Sequence, residues 1–282
     1  MNIKNTLRDN NLAPKKRFGQ NFLVQRQMVE AILNRAAPEA DDTILELGVG
    51  LGAMTIPLAA RVRRVIGLEI DSGLVRWHEE EGDLPANVSL RHEDLLESDF
   101  RQLAAECGGR LRIIANLPYS ISNPLLFKLL DCHEVVDYAV LMLQKEVAER
   151  ISAPPATREY GVLSVLLGSC AVVEPLLKIG PENFHPRPKV DSMVVRIKFN
   201  PPSAEIKALP AHSLKILKML VKAAFGKRRK TLLNALTGAG GRDKSAVRLI
   251  LHKAGISEQR RPDQLTIREY IELAGCFSAP KA

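Results

Sequence analysis

Only four cysteines occur in the 282 residues, Cys107, Cys132, Cys170 and Cys276, and they stand far apart. There is no CxxC pair and no histidine at zinc-ligand spacing, which argues against both a disulfide framework and a structural zinc site; no metal is expected. No apolar run reaches the ~18–20 residues that a helix needs to cross a bilayer, because Arg, Asp or Glu interrupts every candidate. The first thirty residues carry Lys4, Arg8, Lys15, Lys16 and Arg17 but no apolar stretch of the kind a secretory signal requires. Internal repeats and low-complexity tracts are also missing. What is present is a globular composition, 46% apolar and 26% charged. It predicts a cytoplasmic protein with room for one large and one small domain, and nothing marks it as other than a monomer.

The charge is unevenly spread. Lysine and arginine number 40 against 32 aspartates and glutamates, a net charge of +8. Residues 201–282 hold sixteen basic and six acidic residues, whereas residues 1–200 are close to neutral. A basic C-terminal part suggests a polyanionic partner, although a merely soluble basic surface would have the same composition.

Between about residues 42 and 200, short apolar β-branched runs alternate with helix-like stretches. Thr43–Leu47, Arg64–Glu69, Val88–Arg91, Leu111–Ala115, Tyr138–Leu143 and Ser192–Phe199 read as strands, and Met54–Val62 as a helix. This alternation predicts an α/β fold, a doubly wound and mostly parallel sheet, whose ligands bind at the carboxyl ends of the strands. Asn200-Pro201-Pro202 breaks the pattern and opens a linker to about Pro210. Beyond it, Leu217, Leu220, Val221, Ala224 and Phe225 share one helical face, while Lys215, Lys218 and Lys222 share another. Helices are also expected after Asp243 and Thr266. The domains read as 1–200 and 201–282, the second small, helical and basic.

The strand ends carry the chemistry. Gly48, Gly50 and Gly52 follow the first strand as GxGxG, a turn that lets backbone approach a ligand closely. This is not the GxGxxG that cradles a pyrophosphate, so the spacing favours S-adenosylmethionine over a dinucleotide. Glu69 ends the second strand where an acid can accept both ribose hydroxyls. Asp94 ends the third, placed to accept from an adenine amino group, although it would also serve as a helix N-cap, as would Asp99. Three such features at successive strand ends point to an adenosine-containing cofactor.

The fourth strand ends in Asn116-Leu117-Pro118-Tyr119. An exocyclic base amine is a poor nucleophile because its lone pair is delocalised into the ring. An asparagine carbonyl and a neighbouring backbone carbonyl can accept both amine hydrogens and stabilise the positive charge that develops on methylation. Pro118 stiffens the turn, and Tyr119 offers a face on which an extruded base can stack. No general base is needed, so His92 and His185 read as structural.

These residues resemble the small-subunit (16S) ribosomal RNA adenine dimethyltransferases, the family of the bacterial kasugamycin-sensitivity methyltransferases. The likeness runs from Lys15-Lys16-Arg17-Phe18-Gly19-Gln20-Asn21-Phe22-Leu23, through Asn116–Tyr119 and Asn183–Ser192, to Arg261-Pro262 and the last helix. The resemblance implies a Rossmann-like methyltransferase sheet. It also implies transfer of methyl groups from S-adenosyl-L-methionine to two adjacent adenosines in a hairpin loop near the 3′ end of 16S rRNA. The partner would be that RNA within the small (30S) subunit or its precursor, and the role subunit biogenesis. By position, it implies that Asn21 and Leu23 close over the methionine end of the cofactor, that Gly48 contacts it, and that Glu69 and Asp94 hold ribose and adenine. Asn116 would serve both cofactor and catalysis, with Tyr119 beside the target base and Phe184 stacking on its other face. From the residues alone, Phe184 reads equally as core or as a stacking platform. Val49 departs from the family, many members of which have proline there; only the stiffness of the turn is at stake.

Lys227-Arg228-Arg229-Lys230 follows the basic helix face as four consecutive cations. Such a run neutralises phosphates without reading sequence, and it is the expected RNA contact, with Lys15, Lys16 and Arg17 as a second.

Overall fold

The structure, a computed structural model, describes residues 6, 12, 14, 15, 19–199 and 214–278. The expected linker of residues 200–210, and Lys16 and Arg17, lie outside the described residues.

The chain forms two compact units. The first comprises residues 1–148 and 174–199, the second residues 149–173 and 200–282. The boundary expected at residue 200 therefore needs correction, because residues 149–173 belong with the C-terminal helices. The physical reason is aromatic packing. Tyr160 is fully buried, and its ring lies 6.0 Å from Phe225, which in turn stacks 6.1 Å from the equally buried Tyr270.

In the first unit, β1 (Phe22–Leu23) leads into α1 (Arg26–Ala36). There follow β2 (Thr43–Leu47), α2 (Thr55–Ala59), β3 (Arg64–Glu69), α3 (Ser72–Glu81), β4 (Val88–His92), α4 (Phe100–Glu106), β5 (Leu111–Asn116), α5 (Ser122–Asp131) and β6 (Val136–Gln144). All five residues of β2 are buried, as a strand covered on both faces requires. β3, β2, β5 and β6 run parallel to one another, and β4 runs parallel to β3. After α6 (Lys145–Ile151) and α7 (Val162–Gly168), the latter a part of the second unit, come β7 (Ala171–Ile179), β8 (Phe184–His185) and β9 (Ser192–Phe199). β9 is antiparallel to β6, and the seven-stranded order is β4-β3-β2-β5-β6-β9-β7. The doubly wound sheet is present, and its order reverses between β2 and β5, the place where such sheets bind ligands. β1 and β8 make a separate antiparallel pair in which Leu23 faces Phe184. Asp99 caps α4 by accepting from the backbone N–H groups of Arg101 and Gln102, at 2.9 and 3.3 Å.

In the second unit, α8 (Leu214–Gly226) buries Leu217, Leu220, Val221 and Ala224, the face expected from spacing. α9 (Leu232–Leu236), α10 (Lys244–Lys253) and α11 (Ile267–Ser278) complete it. Asp243 caps α10, and the Tyr270 hydroxyl donates to the carbonyl of Pro262 at 2.8 Å. Among the described residues no helix is long and apolar enough to cross a membrane.

Candidate active site

The ends of β2, β3, β4 and β5 open onto one cavity of about 1060 Å³, its mouth included. Asn21, Leu23, Gly48, Glu69, Asp94 and Asn116 all line it. Six residues scattered over 96 positions thus meet at the reversal point of the sheet.

Gly48 has φ +79°, and its N–H donates to the carbonyl of Leu68 at 2.8 Å. A Cβ at this position would stand 3.0 Å from Leu117 Cδ2 and 3.5 Å from the carbonyl oxygen of Asn116. Glycine is needed here on both counts, conformation and space. The lack of a side chain brings the turn after β2 against the end of β5, so that cofactor turn and Asn116 share one wall. Val49 is buried over Gly67, where a Cβ would come within 2.5 Å of it.

Glu69 is held by two backbone donors. Gly50 N–H donates to its Oε2 and Asp71 N–H to its Oε1, each at 2.9 Å. Burial raises its carboxyl above the ordinary value, and the two N–H groups partly offset that. Asp94 accepts from Leu96 N–H through Oδ1 at 2.8 Å. This is a turn rather than a helix cap, and Asp94 lines the cavity. Asn116 lines the cavity, and its carboxamide has no hydrogen bond to any other described residue. Asn21 donates to Gly19 O at 3.0 Å. Leu23 is 2% exposed and contributes to both cavity wall and core.

Two sequence-predicted residues fall elsewhere. Tyr119 stands beside the cavity rather than in its lining, with its hydroxyl 2.6 Å from Ser192 Oγ. Burial raises its phenol, and the bond to Ser192 works against that rise. Phe184 requires a correction: the ring is 4% exposed and belongs to the core cluster with Leu23, Val29 and Ile179. It presents no open face for a base. Pairing with Leu23 across β1 and β8 turns it inward, so of the two readings the sequence left open it takes the core one.

Lys15 is also corrected. It forms an ion pair with the buried Asp71, and Gln20 Nε2 donates to the same carboxylate at 3.1 Å. Lys15 is therefore held at Asp71, the N-cap of α3, and is not a free RNA contact. Burial alone would raise the Asp71 carboxyl, but the bonds from Lys15, Gly73 N–H and Gln20 together hold it below its ordinary value. In the basic run, Arg228 is occupied. It donates to the carbonyls of Arg158 and Thr157 at 2.8 and 2.9 Å and lies 3.5 Å from Asp263. Lys227, Arg229 and Lys230 are exposed.

One site residue escaped the sequence reading. Glu46, inside β2, lines the cavity with 0% exposure, and neither carboxyl oxygen has a hydrogen-bond partner. Burial, reinforced by the charge of Glu69, pushes its pKa up to about 8, against a lowering influence from Thr55. The signal was there to read: an acid within an otherwise apolar strand, two residues before the glycine turn.

An orphaned buried carboxyl, a free carboxamide and a turn that a Cβ would fill suit S-adenosylmethionine, a ligand with an ammonium-bearing zwitterionic end, a sulfonium cation and a neutral nucleoside end. Sheet, turn and strand-end acids define an S-adenosylmethionine-dependent methyltransferase. The sequence matches the family described as Ribosomal RNA adenine dimethylase over residues 11–274. A Ribosomal RNA small subunit methyltransferase A from Desulfotalea psychrophila is 45% identical over 96% of this chain and 94% of its own. Another of that description, from an Anaeromyxobacter species (strain K), is 42% identical over 93% of each. Among solved structures, a dimethyladenosine transferase from Plasmodium falciparum superposes with a TM-score of 0.71 at 24% identity, covering 88% of this chain and 94% of that one. The chain belongs to the ribosomal RNA adenine dimethylase family, and it is an enzyme that uses S-adenosylmethionine as methyl donor.

Proposed function

We propose that the enzyme dimethylates the exocyclic amines of two adjacent adenosines in a hairpin loop near the 3′ end of 16S rRNA, within the small subunit or its precursor. In this reading it acts in small-subunit biogenesis, as a cytoplasmic monomer. The observation that carries the reading is Asn116, which lines the cavity with its backbone carbonyl against the glycine turn and has a carboxamide with no hydrogen bond to any other described residue. Its oxygen accepts one hydrogen of the adenine amine, and a backbone carbonyl of the Asn116–Tyr119 turn accepts the other. The nitrogen lone pair is thereby turned toward the donor, and the charge that develops on it is stabilised. The cofactor supplies an electrophilic methyl group. Glu69 takes the ribose hydroxyls, Asp94 the adenine amine, Gly48 the close backbone approach, and Asn21 and Leu23 cover the amino-acid end. Tyr119 flanks the target base. Phe184 acts from behind, fixing Leu23 through the short β1–β8 pair. The methylated amine is acidic enough to lose its proton to water, so no side chain serves as base.

RNA affinity comes from the basic second unit, through Lys227, Arg229 and Lys230, with Arg228 holding the run in shape. The full-length likeness to relatives described as acting on the small subunit supports that substrate over large-subunit RNA. The test is transfer of labelled methyl groups to undermethylated small subunits, naked small-subunit RNA and large-subunit RNA, followed by digestion to nucleosides. Dimethyladenosine on small-subunit substrates is the expected result. Label on large-subunit RNA alone would overturn the substrate, and binding without label would overturn the catalytic reading.

A further inference from the structure

His78 lies on the inner face of α3 and is 3% exposed. Its Nε2 is 2.9 Å from the carbonyl oxygen of Gly50, and its Nδ1 is 2.7 Å from Asp83 Oδ1. A carbonyl oxygen has no proton to give, and neither has a carboxylate. Both ring nitrogens therefore face acceptors, whereas a neutral imidazole carries a single N–H. Gly50, the residue held at the other end, lines the cofactor cavity with φ +59°, and its own N–H donates to Glu69. The ring also lies under the third glycine of the turn, since a Cβ on Gly52 would stand 3.3 Å from His78 Cε1.

We infer that His78 is a positioning residue for the cofactor turn: an imidazolium braced by Asp83 that holds the Gly50 carbonyl, so that the Gly50 N–H keeps Glu69 aimed at the ribose. The chain of contacts is continuous, from Asp83 through His78 and the Gly50 residue to the Glu69 carboxylate. The ring is too deeply buried to meet a ligand itself, so it acts only through the turn. The effect should fall on any ligand carrying the adenosine moiety, with or without the transferable methyl.

The experiment uses the full chain and S-adenosylhomocysteine as probe, titrated calorimetrically into wild type, Asp83→Ala, Asp83→Asn and His78→Leu. Losing one charge-assisted bond should weaken the probe by about tenfold in Asp83→Ala. An asparagine amide can donate to Nδ1 and leave a neutral ring with Nε2–H on Gly50, so Asp83→Asn should restore affinity to within about twofold. Nitrogen-15 spectra of histidine-labelled protein give a readout independent of binding: both His78 nitrogens protonated in wild type, only Nε2 in Asp83→Asn. In steady-state assays Asp83→Ala should raise KM for the methyl donor while leaving kcat and KM for RNA close to wild type. A neutral His78 ring in wild type would overturn the inference. So would Asp83→Ala and His78→Leu proteins that melt earlier yet bind the probe unchanged, because that is how a merely structural pair behaves. The Asp83 side chain is 24% exposed against 1% for His78, so its variants report even if His78→Leu does not fold.

Discussion

Replacing Glu46 with glutamine probes the floor of the cavity and has a calculable consequence. The carboxyl is wholly buried without a partner, and burial, then Glu69, pushes its pKa from the ordinary 4.5 to about 8. In the unfolded chain the same group ionises near 4.5. Between these values the folded protein keeps a proton that the unfolded chain has released, so folding stability falls as pH rises through this window and is unaffected below it. At about 1.4 kcal/mol per pH unit, the full span corresponds to about 5 kcal/mol by pH 8. Glutamine has nearly the same shape and does not titrate. Urea midpoints of wild type and E46Q, taken at intervals from pH 4.5 to 8, should therefore diverge steadily in favour of the variant. A second readout comes from cofactor binding. A cation seated near the carboxyl favours its ionised form, so binding near pH 7 should expel a proton, visible as heat that depends on the buffer and absent in E46Q. A stability difference that stays constant with pH would refute the reasoning, since it would mean that Glu46 is ionised in the folded protein.

Three further outcomes are expected. Replacing Lys227, Arg229 and Lys230 together with alanine should flatten the log–log salt dependence of RNA binding by about 2–3 units, whereas Arg228→Ala alone should lower the stability of the second unit by about 1–2 kcal/mol; filter binding across salt and thermal melting separate the two roles. Phe184→Ala should cost about 3–5 kcal/mol of stability and weaken the cofactor through Leu23; a variant as stable as wild type that binds cofactor but cannot transfer would return Phe184 to base stacking. Gly48→Ala should cost about 1–2 kcal/mol for the left-handed backbone alone and reduce cofactor affinity further, because the new methyl presses on Leu117 and the Asn116 carbonyl; calorimetric titration beside a melting curve checks both.

The sequence reading succeeded where structure is local. Strands such as Thr43–Leu47 and Leu111–Asn116 bury most of their length, so mainly apolar runs mark them even with Glu46 and Arg112 inside, and Gly48, Glu69, Asp94 and Asn116 stand at or just after strand ends. β7 was not read, because Glu174, Pro175 and Lys178 interrupt it. The sheet order shows why those residues are tolerated: β7 is an edge strand, where a missing ladder donor and exposed charges cost little. β1 and β8, at two residues each, are too short to have any period. The helix expected over Met54–Val62 contracts to Thr55–Ala59.

The remaining misses share one physical origin, the pairing of residues distant in sequence. Nothing local distinguishes Arg228 from Arg229 in a run of four cations; only the carbonyls of Thr157 and Arg158, some seventy positions upstream, make one a brace and leave the other exposed. Lys15 reads as part of a basic segment until Asp71 claims it. Phe184 sits among prolines and polar residues as a stacking aromatic would, and it takes the pairing with Leu23 to turn it into the core. In each case composition identified the right chemical type, a cation or an aromatic, and the tertiary partner decided whether that type faced ligand or protein. Glu69 and Asp94 escape this ambiguity because backbone N–H groups of strand-end turns hold them: Glu69 by Gly50 and Asp71, Asp94 by Leu96. Strand ends and the turns that follow them can therefore be placed around one cavity from a single sequence, whereas a surface built from long side chains can be read only once their partners are known.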